Sequence, residues 1–246
     1  MPRALLTGLN GTVAPIFARR LRRAGYEIVQ WNRAEVSPDD GPACESFIEA
    51  TQPDLIGHFA MGSETWAEGI AKAGHAVGAQ VLYVSSVSVF GPQQPAPLTP
   101  DIEPEPGDDY GRYKLLCEQC VREANPDALI TRLSWQIDEQ PGGNTMTSYF
   151  QRMHDEHGVI SASTNWTPAC AFLEDTADAL MHLLGEPAGV YHLDANAGLS
   201  AHDLVTRIAT RYGHPWTIEP ADQPVFDNRM NDQRVAIASV ETRLAG

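Results

Sequence analysis

The stretch Ala4-Leu5-Leu6-Thr7-Gly8-Leu9-Asn10-Gly11-Thr12-Val13-Ala14 decides the fold of this chain. Its first four residues predict a buried strand, and a helical pattern begins after Gly11. Gly8 and Gly11 suit a tight turn whose backbone a pyrophosphate can approach, and the helix that follows offers free N–H groups to that anion. A turn without a ligand is the alternative. The position of the motif at the first strand favours a dinucleotide site made of Gly8, Asn10, Gly11, Thr12 and Val13.

Short apolar runs alternate with longer amphipathic segments through the first 135 residues. The predicted strands are Ala4–Thr7, Ile28–Trp31, Leu55–Ala60, Val81–Ser85 and Leu129–Ser134, and the predicted helices lie near Gly11–Ala24, Ala43–Thr51, Thr65–Val77 and Tyr110–Glu123. Such alternation is typical of a parallel sheet covered by helices on both faces. We therefore predict an α/β fold with a Rossmann-type, doubly wound parallel sheet.

The alternation loosens after Ser134, where a Pro/Gly stretch precedes helices predicted near Thr145–His157, Glu174–Leu184 and Ala201–Tyr212. We predict a dinucleotide-binding domain over residues 1–140. A small C-terminal substrate lobe is predicted over residues 141–246, interleaved with the last sheet strands. Gly91–Pro106 contains six prolines and is predicted to form a long loop, of a kind that is usually functional or mobile.

The end of the second strand distinguishes between the two nicotinamide dinucleotides. A carboxylate there would hold the adenosine ribose 2′-hydroxyl, but the sequence is Gln30-Trp31-Asn32-Arg33 and contains no acid. The Arg33 guanidinium suits a 2′-phosphate instead. We predict a cofactor pocket that includes Asn32 and Arg33 and prefers NADP(H) to NAD(H). The alternative is that Arg33 is only a loop charge.

Tyr110 and Lys114 open a predicted helix and lie four residues apart, so they share one helical face. A phenol, with a pKa of about 10, is a poor acid–base catalyst at neutral pH unless a nearby cation stabilises its phenolate. Lys114 would supply that cation and bind the nicotinamide ribose. With seven tyrosines and two lysines in the chain, about 0.06 such pairs are expected by chance. Tyr113 lacks a lysine four residues later.

The fourth predicted strand ends in the serines Ser85, Ser86 and Ser88, and Val89-Phe90-Gly91 follows. Ligands in open α/β sheets bind at the carboxyl ends of strands. A hydroxyl there can hydrogen-bond a substrate carbonyl beside Tyr110. Serines that only cap the strand are the alternative for this segment taken alone.

Together these motifs resemble the extended short-chain dehydrogenases/reductases, which carry Thr7-Gly8-x-x-Gly11, Ser85-Ser86-x-x-Val89-Phe90-Gly91 and Tyr110-x-x-x-Lys114 in this order and spacing. The closer resemblance is to the dTDP-4-dehydrorhamnose reductase branch. Its Tyr-Gly-x-x-Lys-Leu-x-x-Glu and Arg-x-Ser-Trp motifs are similar to Tyr110–Glu118 and Arg132–Trp135. The resemblance covers nearly the whole chain and is strongest up to Trp135.

The resemblance implies a reductase in which Ser86 orients the substrate carbonyl, Tyr110 donates a proton and Lys114 tunes it, while NADPH supplies hydride. It implies that Phe59, Ala60 and Met61 contact the cofactor. The predicted contacts to a nucleotide-sugar substrate are Ser88, Asn144 and Arg229. Homodimerisation through the Tyr110–Glu123 helix is a further expectation at the level of the family.

Three departures from the family pattern affect this interpretation. The chain is shorter than members of that branch, mostly after the third strand and in the C-terminal lobe, which favours a different or smaller substrate. Ser63 lies near the position of a helical asparagine common in such active sites. Val87 and Ser88 replace the Asp-Glu pair of sugar-nucleotide 4,6-dehydratases, which argues against dehydration.

Composition restricts the partners and the location. A net charge of −15 disfavours nucleic acid and anionic membranes as partners. No apolar stretch approaches the ~20 residues that cross a bilayer, and no secretory leader is evident, so we predict a cytoplasmic location. We predict no metal site, because Cys117-x-x-Cys120 lies in a helical pattern without a second pair and His154-Asp155-Glu156-His157 suits a solvated helix end.

Three functions remain open at this point. The first is NADPH-dependent reduction of a carbonyl group, on a keto-sugar nucleotide. The second is a sugar-nucleotide epimerase that keeps NAD bound and returns the hydride to its substrate. The third is a regulatory NADP-binding subunit without turnover. Intact Ser86, Tyr110 and Lys114 favour an enzyme, whereas the shortened C-terminal lobe favours the binding role.

Overall fold

A central sheet of six parallel strands organises the chain, of which the computed structural model describes residues 1–245. The strands are β1 (Arg3–Thr7), β2 (Glu27–Gln30), β3 (Leu55–His58), β4 (Gln80–Ser86), β5 (Leu129–Leu133), β6 (Trp135–Ile137), β7 (Ile160–Ser163), β8 (Trp166–Thr167), β9 (Cys170–Phe172), β10 (Gly189–Leu193), β11 (Ile218–Ala221) and β12 (Phe226–Asp227). The helices are α1 (Ala14–Arg23), α2 (Gly41–Thr51), α3 (Glu64–Ala76), α4 (Asp109–Ala124), α5 (Met146–His157), α6 (Leu173–Leu183), α7 (Ala201–Tyr212) and α8 (Val240–Leu244). A 3-10 turn, Val87–Val89, follows β4.

The sheet order is β10-β5-β4-β3-β1-β2, and every neighbouring pair is parallel. The chain winds outward from β1 to β2, then returns to the other side of β1 to place β3. A crevice therefore opens above the carboxyl ends of β1 and β3, where open α/β sheets bind ligands. The predicted doubly wound parallel sheet of Rossmann type is confirmed.

Helices cover both faces of the sheet, which explains why its central strands are apolar on both sides. Helices α1 and α6 pack on one face, where Phe17, Leu21 and Leu180 are buried against Leu6 and Leu82. Helices α2, α3 and α4 pack on the other face, against a second core built around the remaining side chains of the same strands. Among residues 1–245, no helix is long and apolar enough to cross a membrane.

The segment after residue 141 contributes to two parts of the molecule. Its α6 and β10 complete the helix layer and the sheet described above. Its other elements surround a separate core that includes Phe150, Ile160, Ile208 and Trp216. This part also contains three two-stranded parallel pairs, β6 with β9, β7 with β11 and β8 with β12, and β6 follows directly on the carboxyl end of β5.

Candidate active site

The glycine turn after β1 lies against the end of β3. Gly8 has a φ of +77°, and a Cβ on it would lie 3.0 Å from the backbone nitrogen of Ala60. The Thr7 hydroxyl accepts hydrogen bonds from the N–H groups of Phe59 and Ala60, at 3.0 and 3.1 Å. Gly8 is therefore required both for its left-handed backbone and for the close approach of two strand ends.

The start of α1 offers an anion site. Gly11 donates its N–H to the carbonyl of Gly8 at 2.8 Å, which closes the turn, and no side chain caps the helix at Val13. The first N–H groups of a helix without a cap are free to bind an anion. Asn144 donates its N–H to the Thr12 hydroxyl at 2.9 Å, so the C-terminal segment reaches the same turn. These residues fit the pyrophosphate of a dinucleotide.

A crevice of about 380 Å³ continues from the turn between the ends of β1 and β2. Asn10, Asn32 and Arg33 line it, together with neighbouring backbone of the turn. The Arg33 guanidinium lies over the Trp66 ring, 4.8 Å from its centroid, and donates a hydrogen bond to the Met61 carbonyl. Its remaining N–H groups are thereby held at the crevice as a fixed positive group.

His58, at the end of β3, contacts this turn, and the sequence did not predict a role for it. Its Nδ1 lies 2.9 Å from the Thr7 hydroxyl, and its ring packs edge-on against Trp66 at 4.6 Å. Burial lowers the pKa of His58 to about 3, so the imidazole is neutral at physiological pH. It serves as an uncharged hydrogen-bonding support and not as a proton carrier.

The start of α4 packs directly on the 3-10 turn after β4. Asp108 caps the helix by accepting the N–H of Gly111 at 2.7 Å. A Cβ on Gly111 would lie 1.9 Å from the Ser88 carbonyl oxygen, so only glycine permits this contact. The packing brings Tyr110 beside Ser86 and Ser88, and it gives Gly111, which the sequence analysis noted only as part of a motif, a role in placing the site.

Lys114 is buried beneath Tyr110, with 3% of its surface exposed. Its Nζ donates to the Val84 carbonyl at 2.9 Å and lies 6.0 Å from the centre of the Tyr110 ring. Burial lowers the pKa of Lys114 to about 8, which leaves the ammonium charged near pH 7. Tyr110 and Lys114 therefore share one helical face, as the spacing predicts.

The Tyr110 phenol is protonated at neutral pH. Burial raises its pKa above the usual value, and the Ser86 hydroxyl partly offsets this rise. Ser86 itself accepts the N–H of Ser88 at 3.1 Å and donates to the Ser88 hydroxyl at 3.2 Å. A protonated phenol next to two ordered hydroxyls can hydrogen-bond a carbonyl oxygen and donate a proton to it.

A cleft of about 640 Å³ joins these features. The predicted residues that line it are Gly8, Gly11, Thr12, Val13, Phe59, Ala60, Met61, Ser86, Ser88, Tyr110, Lys114 and Asn144. Asn10, Asn32 and Arg33 lie in the adjoining crevice instead. The structure thus brings together nearly all residues assigned to a site from the sequence.

Arg229 is the exception, because it lines neither space. Asp227 accepts hydrogen bonds from its Nε at 3.0 Å and its Nη2 at 2.7 Å, and the Ala197 carbonyl accepts one from its Nη1. The neighbouring Asn228 faces the cleft in its place. The carboxylate of Asp227, two residues earlier in the chain, thus holds the guanidinium outside both spaces.

Comparison with known proteins agrees with this geometry. A sequence model of the family described as "RmlD substrate binding domain" matches residues 2–232. The chain belongs to this family. RmlD-type proteins are oxidoreductases within the extended short-chain dehydrogenases/reductases, so the resemblance found from the motifs is confirmed.

Several curated proteins are similar along most of the chain. The spore coat polysaccharide biosynthesis protein SpsK of Bacillus subtilis is 23% identical over 87% of this chain and 80% of its own length. A dTDP-4-dehydrorhamnose reductase of Mycolicibacterium smegmatis is 26% identical over 81% of this chain and 65% of its own length. A protein named methionine adenosyltransferase 2 subunit beta, from Xenopus tropicalis, is 23% identical over 91% of this chain and 76% of its own length.

Solved structures show the same fold. The Bacillus anthracis dTDP-4-dehydrorhamnose reductase, in complex with NADP, superimposes with a TM-score of 0.87 at 20% identity and covers 99% of this chain and 97% of its own. The UDP-N-acetylglucosamine 4-epimerase of Bacillus cereus has a TM-score of 0.77 at 15% identity, with 95% of this chain and 91% of its own covered.

One buried ion pair links two of the RmlD-like motifs. Glu118 of α4 accepts hydrogen bonds from Arg132 of β5 at 2.7 and 3.0 Å, and both side chains are almost completely buried. Arg132 also approaches His192 Nε2 at 3.2 Å. The pair fixes the helix that carries Tyr110 and Lys114 against the sheet. The other tyrosine, Tyr113, accepts the N–H of Gly62 and has a structural role.

Aromatic rings form the outer wall of the RmlD-family cleft. Trp135 stacks on Trp166 at 6.0 Å, and Trp166 stacks on Phe226 at 5.3 Å. The indole N–H of Trp166 donates to the Asn228 side chain at 3.4 Å. Ser63, expected near the position of a helical asparagine, is the N-cap of α3 and accepts the N–H of Trp66.

Proposed function

We propose that this RmlD-family chain is an NADPH-dependent reductase of a carbonyl group, acting on a keto-sugar nucleotide. The observation that carries the proposal is the meeting of Ser86, Tyr110 and Lys114 with the Gly8–Gly11 turn in one cleft. The names of relatives that reduce dTDP-4-dehydrorhamnose and a related structure in complex with NADP support the substrate and the cofactor.

Each group of the cleft has a role in carbonyl reduction. The bound dinucleotide supplies the hydride. The Ser86 hydroxyl orients the substrate carbonyl, and the Tyr110 phenol, which is protonated at neutral pH, donates its proton to the carbonyl oxygen as negative charge develops there. The charged Lys114 ammonium stabilises the phenolate that remains and binds the ribose hydroxyls.

The preference for NADP(H) rests on the crevice at the end of β2. Arg33 is held there by its stacking on Trp66, and no acidic side chain lines the crevice in the described part of the chain. A ribose 2′-phosphate placed in the crevice would meet the Arg33 guanidinium, whereas the Asn32 amide donates to Glu35 at 2.8 Å. The ribose of NAD would find no carboxylate to accept its 2′-hydroxyl.

The rest of the cleft suits the nucleotide-sugar portion of the substrate. Trp135 and Trp166 line this part of the cleft with aromatic rings, while Asn144 and Asn228 offer amides to a sugar or a base. Helix α5 begins two residues after Asn144, and a helix start favours the negative charge of a diphosphate. Ser88 lies beside Ser86 and is proposed as a further substrate contact.

We also propose a cytoplasmic homodimer with α4 at its interface. Leu116 on this helix is 44% exposed, and an interface formed by α4 would cover it. Light scattering that shows a monomer at micromolar concentration would contradict this assembly.

The Tyr110→Phe variant tests the mechanism. With NADPH and a panel of keto-sugar nucleotides, we expect turnover measured by NADPH absorbance to fall about 10²–10⁴-fold, because the proton donor is lost. NADPH affinity should stay within about twofold. Tyr26→Phe, at a partly buried tyrosine before β2 and outside the cleft, is the matched control. Retention of full activity by Tyr110→Phe would refute the proton-donor role.

A second candidate is a dinucleotide-binding subunit without turnover. The similarity to the protein named methionine adenosyltransferase 2 subunit beta favours it, since that match spans 91% of this chain. The two candidates differ in one measurement. If the wild-type protein binds NADPH tightly but oxidises none of it with any sugar nucleotide, the binding role is supported; an epimerase would instead convert substrate without releasing oxidised cofactor.

A further inference from the structure

Three residues that line the cleft each carry a buried polar atom without a hydrogen-bond partner. Among the described residues, seven buried side-chain polar atoms lack one, and three of these belong to cleft-lining residues: Ser85 Oγ, Ser134 Oγ and Gln136 Oε1. The three residues are 3%, 5% and 6% exposed. Unpaired polar groups destabilise a folded protein, so a cluster at a ligand site indicates that the ligand completes the pairing.

The orientation of the Gln136 amide is fixed. Its Nε2 donates to the Ser134 carbonyl at 2.9 Å, and the reverse orientation would place two acceptors against each other. The Oε1 atom is therefore an acceptor that needs a donor. The Ser134 backbone is itself held, because its N–H donates to the Leu193 carbonyl at 3.1 Å. The cluster thus presents one fixed acceptor beside serine hydroxyls that can donate.

The strand register places these groups next to Lys114. Side chains alternate along a strand, so Ser85 shares a face with Tyr83, whose ring lies 5.2 Å from Lys114 Nζ. Ser85 is paired in register with Arg132, which binds α4 on that same face. Ser134, two residues after Arg132, continues this side. The unpaired groups therefore lie beside the ammonium proposed to bind the nicotinamide ribose.

Trp135 separates this cluster from the substrate side. It lies between Ser134 and Gln136 in the sequence, and its ring belongs to the aromatic wall formed with Trp166. In an extended segment the residues on either side point the opposite way. The amide and the hydroxyls thus point away from the C-terminal core, against which the indole packs.

We propose that Gln136, Ser134 and Ser85 form a subsite for a primary carboxamide, that of the nicotinamide ring, an inference that rests on the proposed function. The carboxamide NH₂ donates to Gln136 Oε1, and the carboxamide oxygen accepts from the serine hydroxyls. This pairing satisfies the acceptor and the donors of the cluster. It also fixes the rotation of the ring and hence the face that is presented to Tyr110.

The test compares two nucleotides that differ only at this group. NADPH carries the NH₂, whereas reduced 3-acetylpyridine adenine dinucleotide phosphate has a methyl in its place. We expect the wild-type Kd, measured by fluorescence titration, to favour NADPH by about tenfold. In Gln136→Met the preference should fall below about threefold, mainly because NADPH binds less tightly. Ser134→Ala should weaken both nucleotides and keep their ratio, because both retain the carbonyl.

Gln151→Met is the matched control, since that glutamine lies on α5 and accepts the Trp216 indole N–H outside the cleft. Its nucleotide ratio should equal that of the wild type. A Gln136→Met protein that melts near the wild-type temperature and keeps the full preference would overturn the subsite. Wild-type protein that binds no NADPH would overturn the proposed function together with the subsite. Tight binding that keeps the preference for NADPH, but without turnover, would refute only the proposed reductase activity and leave the subsite in place.

Discussion

At the scale of single residues, the site includes a group that opposes folding. Lys114 is charged at neutral pH, yet 3% of it is exposed, and its Nζ has one hydrogen-bond acceptor, the Val84 carbonyl. Burial lowers its pKa to about 8, whereas an unfolded lysine titrates near 10.5. Between these values the unfolded chain binds more protons than the folded one. The buried ammonium therefore lowers the free energy of unfolding by its full amount below pH 8, and this destabilisation disappears as the pH rises to 10.5.

The Lys114→Met variant should therefore be more stable and inactive. Removing the buried charge is expected to raise the free energy of unfolding at pH 7 by about 1–3 kcal/mol, while reductase activity falls at least about 10²-fold. Denaturant unfolding at pH 7 and pH 10 measures the first effect, and the gain over the wild type should shrink at pH 10. A variant less stable than the wild type at both pH values would contradict this assignment.

Arg33 is predicted to control the choice between cofactors. Because its guanidinium is held over Trp66 at the crevice, Arg33→Ala should weaken NADPH binding by about 10–100-fold and leave NADH binding within about threefold. Calorimetric titration of both nucleotides measures the ratio. Arg23→Ala, at the end of α1, is a charge-matched control. If both nucleotides weakened equally in Arg33→Ala, the arginine would serve the fold and not the 2′-phosphate.

At the scale of elements, the site depends on how α4 meets the turn after β4. Asp108 caps the helix, Gly111 lets it approach the Ser88 carbonyl, and the Glu118–Arg132 pair holds its middle to β5. Each contact fixes a different point along the helix that carries Tyr110 and Lys114. The catalytic spacing is thus local in sequence, whereas its placement depends on residues of β4 and β5.

Gly111→Ala should damage the site although alanine favours helices. Its Cβ would lie 1.9 Å from the Ser88 carbonyl oxygen, so α4 must shift away from Ser86. We expect a loss of about 1–3 kcal/mol in stability and a decrease in kcat larger than any change in NADPH affinity. Gly69→Ala in α3 is the matched control. A Cβ there meets nothing within 4 Å, so it should stabilise the protein by about 0.5–1 kcal/mol.

The sequence allowed local features to be predicted better than distant contacts. Tyr110 and Lys114 were found because a helical repeat places them on one face, and the Gly8–Gly11 turn because strand and helix patterns flank it. The steric role of Gly111 could not be predicted, because the atom that excludes a side chain there belongs to Ser88, 23 residues earlier. Arg229 was assigned to the substrate by analogy, but its pairing with Asp227 depends on loop geometry that no periodicity reveals.

At the scale of the whole molecule, buried titratable groups have opposite effects on how stability depends on pH. His58 lies beneath the glycine turn with a pKa lowered to about 3, and His192 lies between Arg132 and the Leu98 carbonyl with a pKa lowered to about 4. Asp194 accepts the N–H groups of Cys170, Asn196 and Met230, which joins β9 and the C-terminal loop to β10. Burial raises the pKa of Asp194 to about 7.

These groups predict the acid sensitivity of the fold. An unfolded histidine titrates near 6.5, so the free energy of unfolding decreases through both imidazoles as the pH falls from 6.5 towards 4. Asp194 has the opposite effect, because its carboxyl binds a proton near pH 7 in the folded protein and near pH 3.8 in the unfolded chain. Because two histidines oppose one aspartate, the wild-type free energy of unfolding should be lower at pH 5 than at pH 7.5.

The Asp194→Asn variant removes the opposing group. Its free energy of unfolding should fall by about 2 kcal/mol more than that of the wild type over the same interval. Urea unfolding of both proteins at the two pH values measures the difference. Equal losses would show that Asp194 is ionised in the folded protein throughout this range.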